Sequence, residues 1–489
     1  MARRLLACLA LCALAACSDA PRSPIRYVVL ISLDTVRADA LGCYDASATK
    51  SPSIDRLANL GVRFEHAITA APTTLASHAS IMTGRYPHAH GVPRNGFVLH
   101  PDNISLAEIF AQRGYATAAF LGSFALDKPF GLDQGFQLYD ARFTTELGTA
   151  GVDQSQRSAS EVTDSALRWF DETRPERAFV FLHYFDAHAP YAPKDSGLPP
   201  VTLDTLSRRA LAHQQRWISS PPGWEAPLLS GLPRELIGRV DGTPLDAFDA
   251  QIEAQYAAEI AEIDTQLERV FRVFGTPERA ADTLIVVTAD HGESFHEHAD
   301  FFNHGLWLHE TTVHVPLILR APGLAPRSVA QPVSSVDLAP TVLELAGIDS
   351  MVAFDGVSLV PLARGEARPR GPVFSEATQP THPSFERGAW ANALKPSCIV
   401  DGRWKLIRAP YLGLEQLFDL ESDPHERVDL LACGDAGAPP NLSELRARLD
   451  AWEHTARPLP SNFSREQADE VARRLRELGY TEGLPPKER

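Results

Sequence analysis

A hydroxyl placed just ahead of a buried helix is the first piece of chemistry in this 489-residue chain. Thr74 lies in the stretch Ala71 to Val92, APTTLASHASIMTGRYPHAHGV. There the small and apolar residues from Ser77 to Met82 predict a helix, and Gly84 followed by Pro87 predicts its end. A helix that begins close to Thr74 turns its free backbone N–H groups and the positive end of its dipole towards any anion held against the hydroxyl. Threonine is also a helix cap, and that is the bland alternative for Thr74. Two further groups of side chains can hold a cation. Asp34 ends the apolar run Tyr27 to Leu33, and Asp290 with His291 ends the run Thr283 to Ala289. An adjacent Asp and His at a strand end can reach one ion, with Gly292 expected to allow the tight turn that follows. A threonine alkoxide can attack phosphorus or sulfur, and the covalent ester then needs water activated by a metal or a base.

The elements that must position these groups are legible as apolar runs. YVVLISL (Tyr27 to Leu33), YATAAFLG (Tyr115 to Gly122), AFVFLHYF (Ala178 to Phe185) and TLIVVTA (Thr283 to Ala289) read as buried parallel strands. In open α/β sheets ligands collect outside the carboxyl ends of the strands, where Asp34, Asp186, His188, Asp290 and His291 all fall. Ile104 to Arg113 reads as an amphipathic helix ended by Gly114, and the chain from Tyr256 onwards reads as a longer one. Residues 194–249 are rich in Pro and Gly, carry Trp217 and Trp224, and show no clean periodicity; they are expected to form a variable insertion, a lid or wall of the substrate site. Trp404 to Ile407 and Leu417 to Leu420 read as strands of a small antiparallel sheet that serves packing.

The segment opened by Thr74 resembles the nucleophile signature of the sulfatase family within the alkaline phosphatase superfamily. There a Cys or Ser begins C/S-x-P-x-R and runs into Thr-Gly-Arg-Tyr-Pro, here Thr83 to Pro87. Thr74 takes the Cys or Ser position, Ala76 the Pro and His78 the Arg. Further segments in the family's order carry the resemblance: Asp34-Thr35-Val36-Arg37-Ala38-Asp39, His188 in Asp186 to Tyr191, Asp290 to Glu293, His304-Gly305 with Glu310, and Val336 to Thr341. The resemblance implies an alkaline-phosphatase-like three-layer α/β sandwich with a central, mostly parallel sheet (26–365), a C-terminal antiparallel-sheet subdomain (366–460) and a tail (461–489). It implies a divalent metal, Ca, Mg, Mn or Zn, held by Asp34, Thr74, Asp290 and His291. It also implies a leaving-group role for His188, a catalytic place for His78, and a second metal or substrate position built from Asp186, His304 and Asn95. Asn95-Gly96 is equally a turn dipeptide.

The departures matter chemically. Sulfatases oxidise the Cys or Ser to formylglycine, which sheds sulfate from a hemiacetal, and threonine cannot follow that route. Where sulfatases usually carry a Lys-Trp-His run, this chain has Phe120-Leu121-Gly122-Ser123-Phe124. Both changes tilt the expected substrate from sulfate towards phosphate esters, on a glycan, lipid or small molecule.

The formal net charge of -16 excludes nonspecific nucleic-acid binding, which needs a basic face. Residues 1–17 carry two arginines, an apolar run and Leu14-Ala15-Ala16-Cys17, which resembles a bacterial lipobox. The protein is thus expected to be exported and held to a membrane, facing the periplasm, by lipid on Cys17 alone, with Ser18 a cue for the outer membrane. An exported chain can hold disulfides, and Cys398 with Cys433 is the expected pair. Two other classes fit parts of the pattern. A metal- or glycan-binding lipoprotein without catalysis would be expected to lack the metal acids that are present here. A phospho-headgroup transferase would usually bring several membrane-spanning helices.

Overall fold

The computed structural model describes residues 25–48, 51–143, 155–193, 239–240, 243–295, 297–299, 304–305, 307–366, 370–377, 395–410, 413–432 and 438–461. Cys17, Cys433 and most of the stretches 194–249 and 461–489 lie outside them. The strands, in chain order, are β1 (Tyr27–Leu33), β2 (Val62–Ile68), β3 (Ala116–Phe120), β4 (Leu138–Asp140), β5 (Ala178–Tyr184), β6 (Arg239–Val240), β7 (Thr243–Pro244), β8 (Thr283–Thr288), β9 (His314–Arg320), β10 (Arg327–Val329), β11 (Val333–Ser334), β12 (Val373–Glu376), β13 (Ser397–Asp401), β14 (Trp404–Ala409) and β15 (Leu414–Asp419). The large sheet runs β10-β2-β9-β8-β1-β5-β3-β4, with β11 also paired to β2. All its pairings are parallel except those that β9 makes with β2 and β8.

Every residue of β1, β5 and β8 is buried, because helices cover both faces of a mostly parallel sheet. This is why the strands read as unbroken apolar runs. β1 lies between β5 and β8 in register, with Ser32 opposite His183 on one side and Thr288 on the other. The ends of the three strands therefore bring Asp34, Asp186 with His188, and Asp290 with His291 to one edge. α1 (Pro52–Leu60), α5 (Ala159–Thr173) and α6 (Leu245–Phe274) pack together, and α2 (Thr74–Thr83) packs against α3 (Pro87–His90), α4 (Leu106–Gln112) and the helix Leu338–Leu345. The expected α/β sandwich with a mostly parallel sheet is the observed architecture.

One boundary differs from the sequence reading. α6 begins at Leu245, inside the stretch expected to be an insertion. Pro244 stands just before the helix and no helix breaker follows it until Gly275, a start signal hidden by the weak apolar periodicity of its first turns. The C-terminal sheet, β12-β13-β14-β15, is antiparallel as expected but is buried on both faces. Ile399, Leu406 and Leu417 pack with the helix Leu442–Glu453 and with Tyr86, while Cys398, Val400, Ile407 and Phe418 pack with Ile68, Leu308 and Val313.

Lys405 of β14 links this sheet to the residues before β9. It is fully buried, with its ammonium 2.7 Å from Glu310 Oε1 and 2.8 Å from Glu426 Oε1. Burial alone would lower its pKa, but Glu310 and Glu426 hold it above the usual lysine value. Removing the ammonium strands two carboxylates in a dry interior. Lys405→Met should accordingly cost about 3–5 kcal/mol. Urea unfolding reads this loss, and one below about 1 kcal/mol would mean that water reaches the acids once the lysine is gone.

Candidate active site

The turn after β1 ties the three strand ends together. Thr35 adopts a positive φ of 58°, rare for a β-branched residue, and three hydrogen bonds hold it there. Its hydroxyl lies 2.7 Å from Asp34 O and donates to Ala187 O at 2.9 Å; its carbonyl accepts from Tyr256 Oη at 2.8 Å; its N–H donates to Asp290 Oδ1 at 3.3 Å. Asp290 Oδ1 also accepts the N–H of His291 at 2.9 Å, and Ser77 of α2 donates to Asp290 O at 2.8 Å. Gly292 earns its place differently from the expectation: its φ is not in the left-handed region, but a Cβ there would sit 2.1 Å from Thr311 O. The glycine permits close backbone approach, with Gly292 N–H bonded to Thr312 O at 2.9 Å.

α2 starts where the sequence places it and ends at Gly84, which is left-handed at φ 65°. The cap is Thr73. Thr74 is the first helical residue, fully buried, with Oγ1 3.4 Å from His291 Nε2, so its hydroxyl is spent on the site and not on capping. Asn95 Oδ1 accepts the Leu75 N–H at 2.8 Å beside it, while Asn95 Nδ2 is buried without a hydrogen-bond partner among the described residues.

Three lone pairs converge here. His291 Nδ1 lies 2.9 Å from the Gly292 carbonyl, so in the neutral ring Nδ1 carries the proton and Nε2 is bare. That bare nitrogen is 3.3 Å from Asp290 Oδ2 and 4.0 Å from Asp34 Oδ1, two buried oxygens with no hydrogen-bond partner among the described residues. Burial lifts the Asp34 carboxyl to about 7 despite the offset from His291, and raises Asp290, with the nearby Asp34 charge adding to it. Orphaned carboxylate oxygens facing a bare imidazole nitrogen and a hydroxyl fit a divalent cation. One nitrogen among oxygen donors suits Zn or Mn better than Ca, which takes six to eight oxygens.

A second group of imidazoles adjoins it. His304 stacks on His291 with ring centroids 4.3 Å apart, and His188 meets His304 edge to face at 5.2 Å. His304 Nδ1 lies 3.3 Å from Glu293 Oε1, a buried acid that burial pushes up to about 8. Burial holds His304 down to about 4 and His188 well below its usual value. With His188 Nδ1 donating to Ala189 O at 2.6 Å, its Nε2 is an acceptor in the neutral ring and must take up a proton before it can give one to a leaving group.

Two expected members fall outside the group. Asp186 Oδ1 accepts the Ala159 N–H at 2.8 Å at the start of α5, and its other neighbours that could share an ion are Glu259 and Glu262 of α6. The expected second metal therefore loses its carboxylate. His78 is fully buried beneath α2, with Nδ1 donating to Thr74 O at 2.7 Å and Nε2 2.8 Å from Ser32 Oγ. Both ring nitrogens are spent and burial holds its pKa near 3, so His78 neither touches an ester nor supplies the positive charge of the motif's arginine. Sequence reasoning missed Glu293 and His183. His183 lies inside the apolar run of β5 with Nε2 3.0 Å from Asp34 Oδ2. The signal was a lone histidine in a buried strand beside the strand that carries the acid.

Comparison with known proteins follows the same lines. The sequence model of the family described as Sulfatase matches residues 26–348, and that described as N-sulphoglucosamine sulphohydrolase, C-terminal, matches residues 297–453. A relative from Escherichia coli (strain K12), described as uncharacterized sulfatase YidJ, is 24% identical over 443 residues, covering 82% of each chain. The N-acetylglucosamine-6-O-sulfatase of Bacteroides thetaiotaomicron is 24% identical over 426 residues, 74% of this chain and 76% of its own. The solved phosphonate monoester hydrolase of Silicibacter pomeroyi superposes with a TM-score of 0.64 at 25% identity, covering 88% of this chain and 96% of its own.

A protonation signature follows from the acids. Burial holds the Asp34 carboxyl at about 7 in the fold, against its ordinary 3.8. Between those values the folded protein keeps a proton that the unfolded chain has lost, so stability falls as pH rises through the window. The melting temperature of chelator-treated protein should drop from about pH 5 to about pH 7. Saturating Mn2+ should flatten that slope, because the ion binds the ionised form. A flat profile without metal would mean that these acids are ionised throughout.

Proposed function

The chain belongs to the sulfatase family, whose members hydrolyse sulfuric or phosphoric ester bonds, and we propose that it does so with Thr74 as the nucleophile, one divalent cation, and a preference for phosphoesters. The observation that carries this reading is the placement of the buried Thr74 hydroxyl, at the N-terminus of a ten-residue helix, 3.4 Å from a bare histidine nitrogen that faces two orphaned carboxylate oxygens.

Asp34, Asp290, His291 and Thr74 would hold the cation. When bound, it lowers the pKa of the Thr74 hydroxyl and polarises the ester. Thr74 Oγ1 forms a bond to phosphorus as the bond from phosphorus to the leaving oxygen breaks, and water then cleaves the new ester and releases phosphate. The α2 N-terminus offers its positive dipole end to the anion, with Asn95 Nδ2 as a further donor beside it. The neutral His188 and His304 present acceptor nitrogens, placed to take the proton that Thr74 or the water gives up and to hand it to the leaving oxygen. A threonine sulfate would lack the hemiacetal escape open to formylglycine, which is the argument for phosphorus. The likeness to a phosphonate monoester hydrolase supports that side, and the named N-acetylglucosamine-6-O-sulfatase keeps a sulfated glycan as the second reading. The lipobox-like Leu14-Ala15-Ala16-Cys17 supports an exported protein anchored by lipid on Cys17, facing the periplasm.

Thr74→Ala should lower kcat for the preferred ester by at least about 1000-fold while Mn2+ still binds, and Thr74→Ser should keep much of the rate. Activity of the alanine variant near wild type would remove Thr74 from the chemistry. Among paired aryl substrates, the phosphate mono- or diester should show the higher kcat/KM; a higher value for the aryl sulfate would reverse the preference.

A further inference from the structure

His183 lies one layer behind the carboxylates. It is fully buried in β5, level with Ser32 of β1, and its Nε2 lies 3.0 Å from Asp34 Oδ2. Against an ionised carboxylate that bond requires the proton on Nε2, which leaves Nδ1 as an acceptor; Nδ1 is buried with no hydrogen-bond partner among the described residues. The ring is enclosed by other rings: His78 edge to face at 4.9 Å, Phe185 at 6.1 Å and Phe181 at 6.4 Å. A side chain there for packing alone would be apolar, since an unsatisfied ring nitrogen costs stability.

The two acids are held in matching ways. Asp290 has one oxygen fixed, Oδ1 under the N–H groups of His291 and Thr35, and Oδ2 is left bare. Asp34 has Oδ2 fixed by His183 and Oδ1 left bare. The two bare oxygens are the ones that face His291 Nε2. Backbone N–H groups hold one carboxylate; for the other, the His183 side chain holds Oδ2.

We propose that His183 is a positioning residue for the cation: its Nε2–H clamps Asp34 Oδ2, so that Oδ1 alone points into the site. This rests on the reading that Asp34, Asp290 and His291 hold a divalent ion. Without the clamp the carboxylate rotates about its terminal torsion, which is broad and two-fold, and must be ordered again each time an ion binds. Partners of this kind are worth about 10- to 100-fold in metal affinity.

The test compares wild type, His183→Leu and His183→Gln, full-length and chelator-treated, by Mn2+ titration calorimetry and by melting temperature without metal. The leucine variant should bind Mn2+ about 10- to 100-fold more weakly with an equal or higher metal-free melting temperature. The glutamine variant, whose amide nitrogen can donate where Nε2 does, should recover most of the affinity. Wild-type affinity in His183→Leu overturns the proposal. So does a fall in metal-free stability in both variants with no rescue by glutamine, which assigns His183 to the core. If the leucine variant does not fold, the glutamine variant decides: unchanged Mn2+ affinity supports the clamp and lost affinity overturns it. A wild-type protein that binds no Mn2+, Zn2+ or Ca2+ overturns the cation reading itself, an outcome distinct from wild-type binding that His183→Leu leaves unchanged.

Discussion

Three acceptor atoms of fully buried residues face one another: Asp34 Oδ1, Asp290 Oδ2 and His291 Nε2. Taking charged groups out of water costs several kcal/mol each unless an opposite charge or enough donors replace the solvent. The charges acting most strongly on the two acids come from histidines and other carboxylates. Much of the local architecture answers this arrangement. The parallel strands deliver the groups to one edge, the left-handed Thr35 locks the three turns together, and Ser77 fastens α2 to the Asp290 backbone. In the proposed reading a divalent cation would resolve this repulsion, held by the same groups that face the Thr74 hydroxyl.

Much of this was readable in the residues. A strand covered on both faces must be apolar throughout, so β1, β5 and β8 announced themselves, and acids at their ends fall where ligands gather. Thr74 and the end of its helix at Gly84 were equally plain. The same continuity concealed His183. In a half-exposed strand, alternation marks which side chain faces what, whereas in AFVFLHYF every position is buried and nothing distinguishes an orienting histidine from a packed one. Asp186 misled for a related reason: strand position fixes where its backbone goes but not that its carboxylate turns to cap α5. The protonation of His78 was also invisible, because a side chain in the arginine's place is neutral only once both its ring nitrogens are known to be enclosed.

The C-terminal sheet follows the same electrostatic logic without the chemistry. Lys405 reaches from β14 to Glu310 of the larger unit, and apolar contacts from Ile68, Leu308 and Val313 cover that face. The sheet thus packs against the residues just before β9, although among the described residues its strands pair with none of the large sheet.

β1 also sets the direction in which the site looks. The strand enters on the amino edge at Tyr27 and releases Asp34 on the opposite edge after seven residues, roughly 20 Å of extended chain. Because β1 lies near the middle of the sheet, the Asp34 end opens at the centre of the carboxyl edge, with β8 and β5 and the turns that follow them forming walls on either side.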